Sequence, residues 1–284
     1  MSDAAAEANK SGPPLLSVED ISVRFVGVKA LIDVSFHVQP GELFAVIGPN
    51  GAGKTSLFNV LSRVYQPVSG RVIFDGHDLL RYQTHQVARL GIARTFQNLG
   101  QFPNTTVLDY LLLGRHIRMR SGILLGGIYL GMTRNEEKKN RAYCLHLLEL
   151  LGLERWRNTP LHSLPYGLQK RTDLARALAL EPMLLLLDEP VAGMGLEETE
   201  DIAAAILDIK EQLGITQILV EHDMAVVMGI ADHVLVLDFG RVIAQGVPSE
   251  VQANPDVIKA YLGEEFSSRL SDEASVSGDN DRSS

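Results

Sequence analysis

Residues 43–63 read LFAVIGPNGAGKTSLFNVLSR, and no other stretch restricts the possible folds as tightly. LFAVI is an apolar run without alternation, the pattern of a strand buried on both faces. A glycine-rich turn and then a helical period follow it. Within the turn, Gly48-Pro49-Asn50-Gly51-Ala52-Gly53-Lys54-Thr55 has the spacing G-x-x-x-x-G-K-[ST]. Glycines at these places let the backbone curl until its N–H groups face an enclosed anion. The helix that opens near Lys54 adds the positive end of its dipole. The Lys54 ammonium can reach the outer phosphates of a nucleotide. The Thr55 hydroxyl can hold Mg²⁺, with Ser56 beside it. A strand before and a helix after are the context this spacing needs, which sets aside a chance glycine turn.

A phosphate loop of this kind needs a second anchor for the metal, usually an acid at the end of a buried strand. MLLLLDEP, residues 183–190, places Asp188 there, with Glu189 next. Ligands of such sheets bind outside the carboxyl ends of the strands. A carboxylate at that edge can orient or deprotonate a water. Alone, Glu189 also reads as a solvated loop acid. That reading weakens because a second buried strand, TQILV, runs into Glu221-His222. His222 is either a γ-phosphate contact or an ordinary strand-end histidine. Gln97, in ARTFQNLGQF, is either a surface glutamine or an amide that touches Mg²⁺ or the attacking water.

Composition excludes several classes. The 284 residues carry a net charge of −9. This argues against nucleic acid as a general partner, since such binders usually offer a basic face. A single cysteine, Cys144, rules out a disulfide framework within the chain and suits a reducing compartment. It reads as a buried spectator. The start, MSDAAAEANKSGPPLL, lacks the basic region and apolar run of a secretory signal. No apolar run approaches the ~20 residues of a membrane span. GILLGGIYLGM, residues 122–132, is too short and too rich in glycine.

Two antiparallel strands with one wet face, LSVEDISVRF and ALIDVSFHV, precede the loop. LEETEDIAAAILDIKEQLG reads as an amphipathic helix ending at Gly214. VLVLDFGRVIAQG reads as a hairpin with Asp238-Phe239-Gly240 at its turn. The stretch from about 107 to 180 lacks a strand period, and a helical subdomain is expected over about 98–180. The expected fold class is α/β: a P-loop NTPase core whose mixed sheet carries an antiparallel β subdomain, plus an inserted helical subdomain. The domain is expected over 16–263, between a disordered tail at 1–15 and a disordered acidic tail at 264–284.

Taken in order, GPNGAGKT, Gln97, LPYGLQKR, LLLLDEP and EHDM are similar to the motifs of ABC-transporter ATPase subunits, over about residues 16–263. Several stretches look like the branched-chain amino acid transport ATPases in particular. These are FNVLS after the loop, RTFQN, the long insertion through 114–142, EHDMAVVMGIADHVLVLDFG and the ending NPDVIKAYLGEE. The resemblance implies an ABC ATPase core working as a homo- or heterodimer with a second ATPase subunit. Two ATP molecules would be sandwiched between the subunits. Each would be held by the phosphate loop of one subunit and the signature of the other, here Leu164, Pro165, Tyr166 and Gly167. It further implies Thr55, Gln97 and Asp188 for Mg²⁺, Glu189 as catalytic base and His222 as γ-phosphate switch. It places Phe25 where an aromatic stacks on adenine, while a core-facing strand residue is the plain alternative.

The implied function is an ATP-hydrolysing subunit of an importer for branched-chain or related amino acids. It would sit peripherally on the cytoplasmic face of the inner membrane. Integral permease subunits would be direct partners, and a periplasmic binding protein an indirect one. Related subunits serve urea, other amides or lipopolysaccharide. Soluble ABC proteins of repair or translation usually carry two cassettes, long coiled coils or zinc-binding cysteines, against one cassette and one cysteine here.

Three features depart from the family pattern or stand outside it. The common signature is Leu-Ser-Gly-Gly-Gln, whereas this chain has Leu164-Pro165-Tyr166-Gly167-Leu168. The missing serine hydroxyl is worth ~1–3 kcal/mol in a charged setting. Gly167, Gln169 and the helix start, with Pro165 in its first turn, are expected to hold the anion instead. Gly195 stands about where an aspartate is usual, so the family's aspartate contact between subunits lacks its side chain here, and a glycine could also mark an unusual turn. Arg115, Arg118, Arg120, Arg134, Lys138 and Lys139 flank residues 122–132. They read as a solvated basic face or as a contact with a membrane partner or anionic headgroups.

Overall fold

The computed structural model describes residues 12–95, 105–115 and 130–261, the last without side chains before residue 135. The first half holds β1 (Leu16–Phe25), β2 (Val28–Val38), β3 (Leu43–Ile47), α1 (Lys54–Leu61), β4 (Ser69–Phe74), β5 (His77–Asp78), α2 (Thr84–Leu90), β6 (Ile92–Arg94) and α3 (Val107–Arg115). The second holds α4 (Leu130–Leu150), α5 (Tyr166–Leu178), β7 (Leu184–Asp188), α6 (Leu196–Leu213), β8 (Thr216–Val220), α7 (Met224–Ile230), β9 (His233–Asp238), β10 (Arg241–Gly246) and α8 (Pro248–Gln252).

The alternating strands form an antiparallel sheet in the order β2-β1-β4-β5. Its alternation slips at Asp20 and Asp33, both at φ +50. There the Ser35 and Ser22 hydroxyls bond the two aspartates and the pairing is irregular. Aspartate tolerates the left-handed region better than most residues, which makes it suitable for such bulges.

The unalternating runs form the second sheet, β10-β9-β3-β8-β7-β6, parallel from β9 to β6 with β10 antiparallel at the edge. Their lack of alternation has a direct cause. Leu43, Ala45, Ile47, Leu185, Leu187 and Leu219 face a core shared with α3, α4, α5 and α6. Phe44, Val46, Leu184, Leu186, Ile218 and Val220 face a second core shared with α1 and the antiparallel sheet. Phe36 and Phe44 stack at 5.2 Å and join the two sheets. Each fully buried side chain of this size contributes about 1.5–3 kcal/mol.

Helix α6 buries Ile202, Ala205, Ile206 and Ile209, one stripe at helical spacing, and stops at Gly214 with φ +64. Residues 105–108 and 157–161 close the helical segment on itself. Val107 N–H bonds Thr159 O at 3.1 Å, and Leu161 N–H bonds Thr105 O at 2.9 Å.

Two expectations change here. Arg115 is no part of a solvated basic face. It packs over the Tyr143 ring at 4.9 Å and donates to Asn140 Oδ1, Ala179 O and Glu181. Arg118, Arg120 and the Arg134 side chain lie outside the described residues, while Lys138 and Lys139 are exposed. Leu15, assigned to the N-terminal tail, precedes β1 but is hydrogen-bonded to the sheet. Its N–H bonds Val38 O, and its carbonyl accepts from Asp75 N–H. Among the described residues, no helix is long and apolar enough to cross a membrane.

Candidate active site

The parallel register sets Val46 and Asp188 beside Val220, and Arg94 beside Leu186. The carboxyl ends of β3, β8, β7 and β6 therefore share one edge. Along it lie the glycine loop, Glu221-His222, Asp188-Glu189, and the segment leading toward Gln97. Gln97 itself lies outside the described residues.

The loop is built as its glycines demand. Gly48 has φ +145, and a Cβ there would lie 2.0 Å from Leu237 O. Gly53 has φ +107 and caps α1, and its Cβ would lie 2.5 Å from Ala30 O. Gly240 N–H bonds Ala52 O at 2.9 Å, tying the loop to the β9–β10 turn. Lys54 is buried, and its Nζ donates to Gly48 O at 2.5 Å and Pro49 O at 3.0 Å. Asn50 and Gly51 form the turn between these carbonyls and Ala52. Thr55 is exposed and Ser56 half-buried in the first turn of α1. No side chain caps that turn, so its N–H groups suit an anion.

Asp188 is 3% exposed. Arg94 Nη2 donates to its Oδ2 at 2.6 Å, and its N–H bonds Thr95 Oγ1 at 3.2 Å. Its Oδ1 is buried without a hydrogen-bond partner among the described residues. Such an oxygen fits a cation, since burying a carboxylate oxygen unpaired is costly. No group of three His, Cys, Asp or Glu able to hold a metal occurs among the described residues. One carboxylate and a hydroxyl would suit Mg²⁺ that takes its other ligands from phosphate and water, rather than an all-protein cage.

Glu189 is half-buried at φ +47. For a non-glycine residue this conformation costs roughly 1–3 kcal/mol and must be imposed by its surroundings. Its N–H bonds Val220 O at 2.9 Å. Two residues on, Val191 N–H bonds Glu221 Oε1 at 3.0 Å. Glu221 is wholly buried, and its Oε2 accepts from His222 N–H at 3.0 Å. Burial pushes the Glu221 carboxyl above its ordinary value, against the opposing pull of the Val191, His222 and Asp223 N–H groups and of the His222 ring. The His222 ring is 60% exposed, with Nδ1 3.7 Å from Glu221 Oε2. The sequence marks Glu221 only as a polar strand end, and nothing in it reveals the N–H groups that meet there.

At the signature, Leu164 is buried, Pro165 is the cap residue and α5 starts at Tyr166. Pro165 thus precedes the first turn expected to contain it, because its ψ of 152° is extended rather than helical. Gln169 also departs from expectation. Its Nε2 turns back to Leu164 O at 2.8 Å and stabilises the loop. Gly167 is buried, and a Cβ on it would lie 2.8 Å from Glu198 Oε1. Gly195 adopts φ −74 and ψ 168, ordinary extended backbone before α6, so it marks no unusual turn. Gly193, at φ +77, is the left-handed residue of that loop. Phe25 is 40% exposed with its ring edge-on to Tyr65 at 4.8 Å, which removes the core-facing alternative.

Residues 31–192 match the family described as ABC transporter. The chain belongs to the ABC transporter family. As an ABC ATPase it binds ATP and couples hydrolysis to transport. Residues 241–267 match a second description, branched-chain amino acid ATP-binding cassette transporter. The ABC chain is 39% identical over 251 residues to the high-affinity branched-chain amino acid transport ATP-binding protein BraF of Pseudomonas aeruginosa, covering 88% of this chain and 98% of that protein. It is 38% identical to LivG of Escherichia coli strain K12, a protein of the same description, over the same shares. A crystal structure of the ADP conformation of an ABC transporter cassette superposes with TM-score 0.78 at 31% identity, covering 89% of this chain and all (100%) of that one.

Proposed function

We propose that this ABC ATPase powers an importer of branched-chain or related amino acids, with its catalytic unit spanning residues 16–263. The observation that supports the chemistry best is the shared sheet edge, where the glycine loop, Asp188, Glu189 and His222 converge. The cargo rests on residues 241–267 and on the names carried by BraF and LivG.

In this reading the loop amides and Lys54 bind the phosphates of ATP, and Phe25 stacks on adenine. Thr55, Asp188 and Gln97 would hold Mg²⁺, which when bound offsets phosphate charge. Glu189 accepts a proton from the attacking water, and His222 senses the γ-phosphate. Two such subunits, identical or not, close around two ATP molecules. Leu164, Pro165, Tyr166 and Gly167 of each meet the nucleotide of the other through the uncapped start of α5. Integral permease subunits supply the membrane path, a periplasmic binding protein delivers cargo, and this chain sits on the cytoplasmic face of the inner membrane.

Glu189→Gln tests the chemistry. ATP binding should persist, turnover should nearly vanish and a dimer should accumulate on size exclusion. Normal turnover would remove Glu189 from the role of base. For the cargo, the complex co-purified from detergent extract should take up labelled leucine after reconstitution. Uptake of urea or a simple amide instead would move the assignment to those cargoes.

A further inference from the structure

Glu221 is placed to do more than end a strand. It is a fully buried carboxylate, and both of its oxygens are used by backbone N–H groups of different segments. One oxygen takes Val191 N–H, in the loop just beyond Glu189. The other takes the N–H of His222. Glu189 is thus tied on both sides. Its own N–H bonds Val220 O, and the backbone two residues later bonds the side chain that follows β8. A residue held at φ +47 needs such restraint on each side. Burying a carboxylate for a structural tie alone is unfavourable, because a neutral acceptor avoids the desolvation. A carboxylate is suited here because it offers two acceptors and no donor.

We infer that Glu221 is a positioning residue for hydrolysis, its buried carboxylate setting the placement of Glu189 and His222 relative to one another. The inference rests on the roles proposed above for those two residues. Glutamine at this position keeps the volume but presents a donor to one of the two N–H groups. Aspartate keeps the charge and still reaches its own backbone, yet is one methylene short of Val191.

The test uses the purified full chain with Glu221→Gln, Glu221→Asp, Glu189→Gln, His222→Ala and the Glu221→Gln/His222→Ala double variant. For Glu221→Gln and Glu221→Asp, kcat should fall about 10- to 100-fold while Kd for ATP stays within about twofold, as for misplaced catalytic groups that do not touch substrate. In the double variant Glu221→Gln should cost less than its own factor, because the part of its effect that runs through His222 is already gone. Independent, multiplying effects would overturn the inference. So would wild-type kcat in Glu221→Asp, which decides the matter if Glu221→Gln fails to fold. Normal hydrolysis by both Glu189→Gln and His222→Ala would instead remove the assigned roles and this inference together. Inactive Glu189→Gln and His222→Ala beside fully active Glu221 variants would remove this inference alone.

Discussion

Arg94 donates to Asp188 Oδ2 at 2.6 Å and leaves Asp188 Oδ1 buried without a partner among the described residues. One oxygen is neutralised, and the other is the one proposed above to meet a cation. Arg94 is itself held by Asn59 Oδ1 at 2.8 Å, by Ser62 Oγ at 3.2 Å and over the Phe58 ring. Removing it strands a buried charge. Arg94→Gln should lower unfolding stability by about 3 kcal/mol in urea titrations without nucleotide. Mg²⁺ with ATP should restore more stability to this variant than to wild type. Equal stabilisation of both would mean that Asp188 does not depend on Arg94.

The glycines of the phosphate loop are not equivalent. Gly48→Ala would drive a Cβ into Leu237 O, a backbone atom that cannot step aside. It should lose ATP binding and several degrees of melting temperature. Gly51 has φ +79 but nothing within 4 Å of its absent Cβ. Gly51→Ala should cost only about 1 kcal/mol, the penalty of a left-handed alanine. Calorimetric melting and ATP titration of the two variants check the contrast.

Gly167→Asp sets a carboxylate at the start of α5, next to Glu198. The Glu198 carboxylate is the far end of an exposed side chain and can swing away, so the fold should survive. ATP binding by the isolated chain should persist while turnover is lost through repulsion of the partner's phosphate. Normal turnover would return this segment to a plain helix start.

Burial holds the Glu221 carboxyl above its ordinary value of 4.5. The folded chain therefore keeps this proton more tightly than the unfolded one. Such a group contributes stability that is full below the unfolded value and is lost as pH rises through the folded value. The melting temperature of wild type minus that of Glu221→Gln should fall as pH rises above 4.5 and then level off. A difference that grows with pH would contradict the burial argument.

Cys144 is wholly buried, and burial pushes its thiol up to about 11. Almost no thiolate exists at neutral pH. Mass spectrometry should find no iodoacetamide adduct on the native chain and one adduct after unfolding in urea.

Much of the fold is legible in the chain because β3, β7 and β8 are buried on both faces. In β3 and β7 that burial shows as unbroken apolar runs that match the observed strands to within a residue, while β8 opens on buried Thr216 and Gln217 before Ile218, Leu219 and Val220. β6 is three residues long, too short to show a period. β4 opens on an exposed Ser-Gly-Arg and buries only Val72 and Phe74, so it too leaves little signal. The loop, Asp188 and Glu189 are local in sequence, and their place on one sheet edge follows from the strands that they end. Arg94 is not legible in this way. Its role depends on Asn59, Ser62 and Asp188 arriving from distant elements, and an arginine in a short apolar stretch says nothing of that. Glu221 shows the same limit, since its partners are backbone N–H groups that every residue but proline carries.

The ammonium of Lys54 already rests on the carbonyls of Gly48 and Pro49. The group proposed to bind phosphate is therefore also a tether of the loop's own backbone. An alanine at position 54 would remove the proposed phosphate ligand and at the same time withdraw the internal tether that keeps the loop curled. Its binding defect would overstate what lysine contributes to holding phosphate, and the excess would measure how far the loop is shaped before anything enters it.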